Sequence, residues 1–267
     1  MTNTQVAEAK NTLPVNIMDD MYENAGAGTE NLTADDMQIP FLRILQPLSP
    51  QLLKTDPKYL KGASAGDLFN TVTGDVWDAD TGVTIIPCAF QKKYLEFQIR
   101  ENGGGYVGEH SPNAPEVRNT ERVGASEMMA SGNELIVSFQ FLVLGMTPNG
   151  SFQQMICDMK KTQTKVAKQW NTRRTGLKIM HPTKGLFTPP MWATVWQLKT
   201  VQETNDKGSW FNYDVSNLDA SAVSPEAMAE AKGLFTKFQK GEIKTQAGTQ
   251  EEMKEQDKSD LVDDVPF

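Results

Sequence analysis

Apolar and polar residues alternate with a period of two through most of the chain between residues 67 and 215, the spacing of half-buried strands. DLFNTVTGDVWD places turn chemistry at Gly74–Asp75 between two short β-prone runs and predicts a hairpin. GVTIIPCAF predicts a buried strand that Pro87 interrupts or bulges. In KKYLEFQIR, Lys93, Leu95, Phe97 and Ile99 take one face, and Lys92, Tyr94, Glu96, Gln98 and Arg100 take the other. ELIVSFQFLVLG and SFQQMICDM, joined at Asn149–Gly150, predict a second hairpin. WATVWQLKTV and SWFNYDV predict a third around Asn205–Asp206. GGGYVG reads as a glycine turn, and 109–132 as a long polar loop with room for a short helical turn.

The period changes twice. Lys160 to Lys178 carries Val166, Trp170 and Leu177 on one side and Lys161, Lys165, Lys168 and Arg173 on the other, which predicts an embedded helix. Pro225 to Lys240 predicts a C-terminal helix with Ser224 as N-cap and Gly241 as its stop. Residues 1–37 and 242–267 are acidic and weakly periodic, which predicts disordered ends. The expected fold is therefore mainly β: an OB-like small barrel or a curved antiparallel sheet over 38–241, with one embedded helix and one C-terminal helix.

With 267 residues and 39% hydrophobic content, the chain can bury an ordinary core. No apolar run is long enough to span a bilayer, so no membrane is expected. The N-terminal stretch lacks an apolar core segment, so secretion is not expected either. Two distant cysteines, Cys88 and Cys157, fit a reducing cytoplasm. The net charge of −8 argues against nucleic acid until its distribution is considered. Residues 1–42 hold one base and seven acids, and 242–267 hold three bases and eight acids, which leaves +3 for the body. Within the body, 158–199 has nine bases and one acid, a net +8. Acidic ends around a locally basic body point to a nucleic-acid partner.

Enzyme chemistry is poorly supplied. His110 and His181 stand in Pro-containing loops, and no nucleophile elbow, dinucleotide fingerprint or P-loop occurs. The order Cys88, His110, Cys157, His181 has no close pair of the kind zinc sites use. No catalytic residue, metal or cofactor is therefore expected. Single-strand binding needs cations for phosphates and flat side chains for bases. MKKTQTKVAKQWNTRRTGLKIMHPTKG offers both, through Lys160, Lys161, Lys165, Lys168, Arg173, Arg174 and Lys178 around Trp170. Trp170 is equally readable as a core anchor. Tyr94, with Lys92 and Arg100 on its face, is a second stacking candidate, whereas Trp192, Trp196 and Phe211 read better as core.

The chain closes on DKSDLVDDVPF. Asp263, Asp264, Val265, Pro266 and Phe267 resemble the acidic tip of bacterial single-stranded DNA-binding proteins, and phage replication proteins with an acidic tail and a final aromatic. The body resembles the single-stranded DNA-binding proteins of tailed phages in QIPFLRILQPLSPQL, AGDLFNTVTGDVW and Gln169–Trp170–Asn171–Thr172. The resemblance implies a protein that coats single strands during replication, recombination and repair in the cytoplasm of an infected bacterium. It also implies that the tip recruits replication and recombination proteins. The sequence is compatible with a homo-oligomer without specifying one. The competing readings are a virion or assembly protein with a β-rich body and acidic ends, and a metal-dependent enzyme using Asp75, Asp78 and Asp80, which otherwise read as turn residues.

Overall fold

A computed structural model describes residues 14–32, 36–124, 126–206 and 208–243, with backbone alone at Asn16 and Arg100. The tip residues Asp263 to Phe267 lie outside the described residues. The chain divides into a small N-terminal unit, residues 1–38, and a body, residues 39–267.

In the N-terminal unit, α1 (Val15–Glu23) occupies part of the segment expected to lack structure. Pro14 precedes its first turn, and Asn24 closes it by donating from Nδ2 to the Asp20 carbonyl at 2.8 Å. Ile17, Met18, Met21 and Tyr22 are all exposed. Only two turns of apolar spacing are present, too few to stand out against the acidic background.

The body is mainly β, a strongly curled half-barrel with few helices. Its strands are β1 (Phe41–Ile44), β2 (Leu68–Asn70), β3 (Val76–Trp77), β4 (Val83–Gln98), β5 (Gly105–His110), β6 (Glu121–Val123), β7 (Ser126–Met128), β8 (Glu134–Met146), β9 (Phe152–Met159), β10 (Ile179–His181), β11 (Gly185–Phe187), β12 (Val195–Asn205) and β13 (Gly208–Leu218). Eleven of them form one sheet whose main path runs β13-β12-β4-β8-β9-β1-β2-β3, with β5 on β4 and the β6–β7 hairpin attached to β8. Strands β10 and β11 form a separate hairpin. Every pairing is antiparallel except β1 with β9. The helices are the short α2 (Pro115–Arg118), α3 (Thr164–Gly176) and α4 (Pro225–Gln239).

The three predicted hairpins and both predicted helices form where the turn and cap residues place them. Ser224 accepts from the Ala227 amide, and Gly150 turns with φ +85° between β8 and β9. Three expectations change. The segment 109–132, expected as a long polar loop, holds the short helix α2 and the β6–β7 hairpin. The runs around GVTIIPCAF and KKYLEFQIR are one 16-residue strand, β4. GGGYVG is a turn only at Gly103–Gly104, after which Gly105–His110 pairs with β4 as β5.

Strand β4 bulges where Pro87 predicts it. Pro87 pairs with Val143 and Ala89 with Leu142, which leaves Cys88 as the extra residue. The extra residue reverses the alternation. Val83 and Ile85 face one core before the bulge, and Phe90 faces it afterwards. That core fills the concave side of the sheet, with Leu42, Phe139, Phe141, Val143, Met155, Trp196, Tyr213 and Trp170 of α3. Ile86, Cys88 and Ala89 point to the opposite face, with Leu142 and Leu144, where Ala227, Ala231 and Leu234 of α4 cover them. Ile243 belongs to this second core, so the folded body runs two residues past the expected boundary at 241. Burial pushes both thiols, Cys88 and Cys157, up to about 12, so neither is a reactive cysteine.

The curl brings β13 against β1, five places away in the sheet order. No strand ladder joins them. Instead Gln46, just past β1, binds the backbone of Phe211 on β13 at both ends: its Nε2 donates to the Phe211 carbonyl at 2.8 Å, and its Oε1 accepts from the Phe211 amide at 2.9 Å. Tyr213 donates to the Leu42 carbonyl at 3.0 Å, and Thr200 to the Gly66 carbonyl at 2.6 Å. Gly66 sits at φ +98°, and a Cβ there would lie 2.6 Å from the Phe211 ring. Gln46→Ala is expected to cost about 1–3 kcal/mol by leaving two backbone groups at the seam unpaired. Gly66→Ala is expected to cost at least about 1 kcal/mol from backbone strain, with the ring displaced as well. Urea unfolding of the two variants checks both values, and a wild-type midpoint for Gln46→Ala would refute the seam.

Candidate nucleic-acid interface

Helix α3 begins in a buried ion pair. Lys160 is 5% exposed, its Nζ lies 2.8 Å from Asp158 Oδ2, and it sits over the Phe97 ring. Ser138 donates to the other oxygen of Asp158. Lys160 therefore neutralises an internal carboxylate and is withdrawn from the expected set of DNA contacts. The half-buried Lys161 follows at φ +47°, and a single turn of 3-10 helix leads into α3.

Trp170 corrects a second expectation. It is 1% exposed, 4.2 Å from the Phe141 ring centroid and 5.9 Å from that of Trp196, edge to face. A ring held this way is a core anchor and offers no open face to a stacking base. Val166 and Leu177 pack beside it, as the helical spacing predicts. Trp192 and Trp196 do not share a strand face. Trp192 lies in the 3-10 turn Met191–Ala193 and packs on the α4 side, whereas Trp196 belongs to the concave core.

The remaining cations of α3 stay outside. Lys165, Lys168 and Arg173 are exposed and Arg174 is half-buried. Arg173 Nη1 donates to the Val215 carbonyl at 2.7 Å, which fixes the helix against β13. Among the described residues, none of Lys165, Lys168 and Arg174 has a carboxylate within ion-pair reach. Burial pulls the Arg174 guanidinium below its ordinary range, and its Nε has no hydrogen-bond partner. A desolvated cation without a counter-charge is costly unless an anion arrives.

The basic stretch continues into the β10–β11 hairpin, which stands where a Pro-containing loop is expected. Ile179 pairs with Phe187 and Met180 with Leu186, and all four are exposed. His181 Nδ1 accepts from the amides of Thr183 and Lys184 and shapes the turn. Lys178 donates to Thr188 Oγ1 at 2.6 Å, and Lys184 is exposed. The signal for this hairpin is the pair of short apolar runs, Ile179–Met180 and Leu186–Phe187, flanking HPTKG. It exposes an aromatic, Phe187, on the same hairpin as Lys184.

Lys92 and Tyr94 stand on the same face of β4 as Phe90, opposite Phe139 and Val137 of β8, so they share the concave side of the sheet with α3. The Lys92 ammonium lies 4.8 Å from the Tyr94 ring centroid. The Arg100 side chain lies outside the described residues. Next along this face is Glu96, which accepts from Asn133, His110 and Ser131. Burial alone would raise its carboxyl, but these bonds outweigh burial and hold it below the usual range. Asp78, one of the three aspartates weighed for metal, accepts from the Asp80 and Thr81 amides and shapes a turn.

A family model described as Pam3 phage gp34-like protein matches residues 8–244. The chain belongs to this phage family. No curated protein and no solved structure matches it. None of the described helices is long and apolar enough to cross a membrane.

The placement of Trp170 carries a prediction. Trp170→Ala is expected to cost ~3–5 kcal/mol of stability, the loss of a fully buried aromatic. A thermal melt checks it, and an unchanged melting point would return Trp170 to the surface.

Proposed function

We propose that this phage protein binds single-stranded DNA without sequence preference, coating strands in replication, recombination and repair. The observation that supports the reading best is the row of cations on α3 and the β10–β11 hairpin. Lys165, Lys168, Arg174 and Lys184 have no carboxylate partner among the described residues, and Phe187 is exposed on the hairpin that carries Lys184. Phosphates supply the missing counter-charge, and release of their counterions supplies the affinity. Lys92 and Tyr94 extend the same side of the sheet.

The acidic tail is the second half of the proposal. Its tip, Asp263 to Phe267, recruits replication and recombination partners by docking Pro266 and Phe267 into an apolar pocket rimmed by bases. Residues 244–267 hold three bases and seven acids, a net −4, tethered to a segment of +8. Tethering gives the tail an effective concentration of order mM, so it competes with DNA for the cations.

Titration with oligo(dT) at several salt concentrations tests the reading. Changing Lys165, Lys168, Arg174 and Lys184 to Ala is expected to flatten the slope of log K against log salt by up to about 0.7 per lost phosphate contact, with little change in stability. An unchanged slope moves the interface elsewhere. Absence of binding at low salt refutes the proposal and favours the virion or assembly reading.

Because Ile243 is buried, the tail is cut after residue 243. This truncation is expected to tighten single-strand binding at low salt, by a margin that shrinks as screening grows. Phe267→Ala, which keeps every charge, is expected to leave DNA affinity intact and abolish partner capture. Equal low-salt affinity with and without the tail would refute the competition.

A further inference from the structure

Among the described residues, α1 and the β10–β11 hairpin are the two places where one element exposes several large apolar side chains. On α1, helical spacing puts Ile17, Met18, Met21 and Tyr22 on one side and Asp19, Asp20 and Glu23 on the other. No Lys or Arg occurs between residues 11 and 42, so the polar side of this helix is wholly acidic. On the hairpin, cross-strand partners share a face. Ile179 and Phe187 take one face with His181, whose ring lies 6.4 Å from that of Phe187. Met180 and Leu186 take the other, and at 64% and 65% exposed they form the more open of the two. Residues 178–188 also carry the exposed Lys178 and Lys184 and no acid.

Clustered apolar surface with a charged surround marks an interaction site, and a hairpin of two short strands gains from being covered. Both surfaces stay open in a single chain, so the cover comes from another molecule. Like does not suit like here: α1 against α1 brings carboxylates together, and hairpin against hairpin brings lysines together. Helix against hairpin matches apolar to apolar and acid to base. We propose that α1 of one copy docks on the Met180–Leu186 face of the β10–β11 hairpin of a second copy. The opposite charges of the two elements steer the encounter, and the apolar side chains hold it. Each copy offers one helix and one hairpin, so the contact is head to tail and extends with concentration. It leaves the Phe187 face uncovered and does not depend on the single-strand reading.

Sedimentation equilibrium of the full-length protein at low salt tests this. So small an interface is weak, and the wild type is expected to associate on the way up to about 1 mM. Met18→Gln with Met21→Gln removes the middle of the apolar side and keeps good helix formers. Met180→Thr with Leu186→Thr removes the hairpin face and keeps good strand formers. Each double variant alone is expected to stay monomeric. Their one-to-one mixture is expected to form a dimer and nothing larger, because one intact helix and one intact hairpin remain. Two charge variants leave the apolar surfaces whole: Asp19→Asn, Asp20→Asn and Glu23→Gln together, and Lys178→Gln with Lys184→Gln. Each is expected to weaken association roughly fivefold and to blunt its salt dependence. These carry the test if an apolar variant melts below the wild type. A wild type that stays monomeric, or apolar or charge variants that associate as it does, overturns the proposal. So does a mixture that stays monomeric while the wild type associates, since the contact then joins other surfaces.

Discussion

Curling a sheet until its end strand meets a strand five places away leaves backbone groups that ordinary strand pairing cannot reach. A true barrel solves this by closing the ladder. Here a side chain stands in for a strand. The Gln46 amide presents one donor and one acceptor, as a backbone peptide does, and pairs with both polar groups of Phe211. Tyr213 and Thr200 continue the seam on either side. The rest of the body depends on this closure. Without it β13 is free at one edge, and the Val215 carbonyl that Arg173 binds is no longer held against α3.

The bulge at Cys88 does comparable work for the faces of the sheet. A regular β4 would keep odd residues on the concave side throughout, carrying Lys93, Leu95 and Phe97 inward beneath α3. One extra residue instead places Phe90, Lys92 and Tyr94 there and sends Leu95 and Phe97 to a separate small cluster with Ile136. The same strand thus supports two cores at its beginning and presents an exposed cation and an aromatic ring at its end.

The long strands, their hairpin turns and the two long helices are legible because each depends on local signals: period-two alternation, Asn–Gly and Gly–Asp turns, a Ser–Pro cap. What remained hidden depends on contacts distant in sequence. Nothing around Gln46 announces that it pairs with a residue 165 positions away. Lys160 reads like its basic neighbours, and only the fold shows that Asp158 claims it. Trp170 fits both a stacking ring and an anchor until Phe141 and Trp196 close around it. The β10–β11 hairpin was missed because each strand is three residues long, too short for a period to register.

The charges that remain after these pairings divide into two chemical environments on neighbouring surfaces. The cavity between α3 and the β12–β13 hairpin is lined by both signs, Lys165 and Arg173 from the helix and Glu203 and Asp214 from the strands, so its charges offset one another. Lys168, Arg174 and Lys184 do not line it and have no carboxylate partner among the described residues. On the reading proposed above, these are the cations a polyanion follows, and the affinity they give comes from phosphate charge and released counterions and needs no contact that reads sequence.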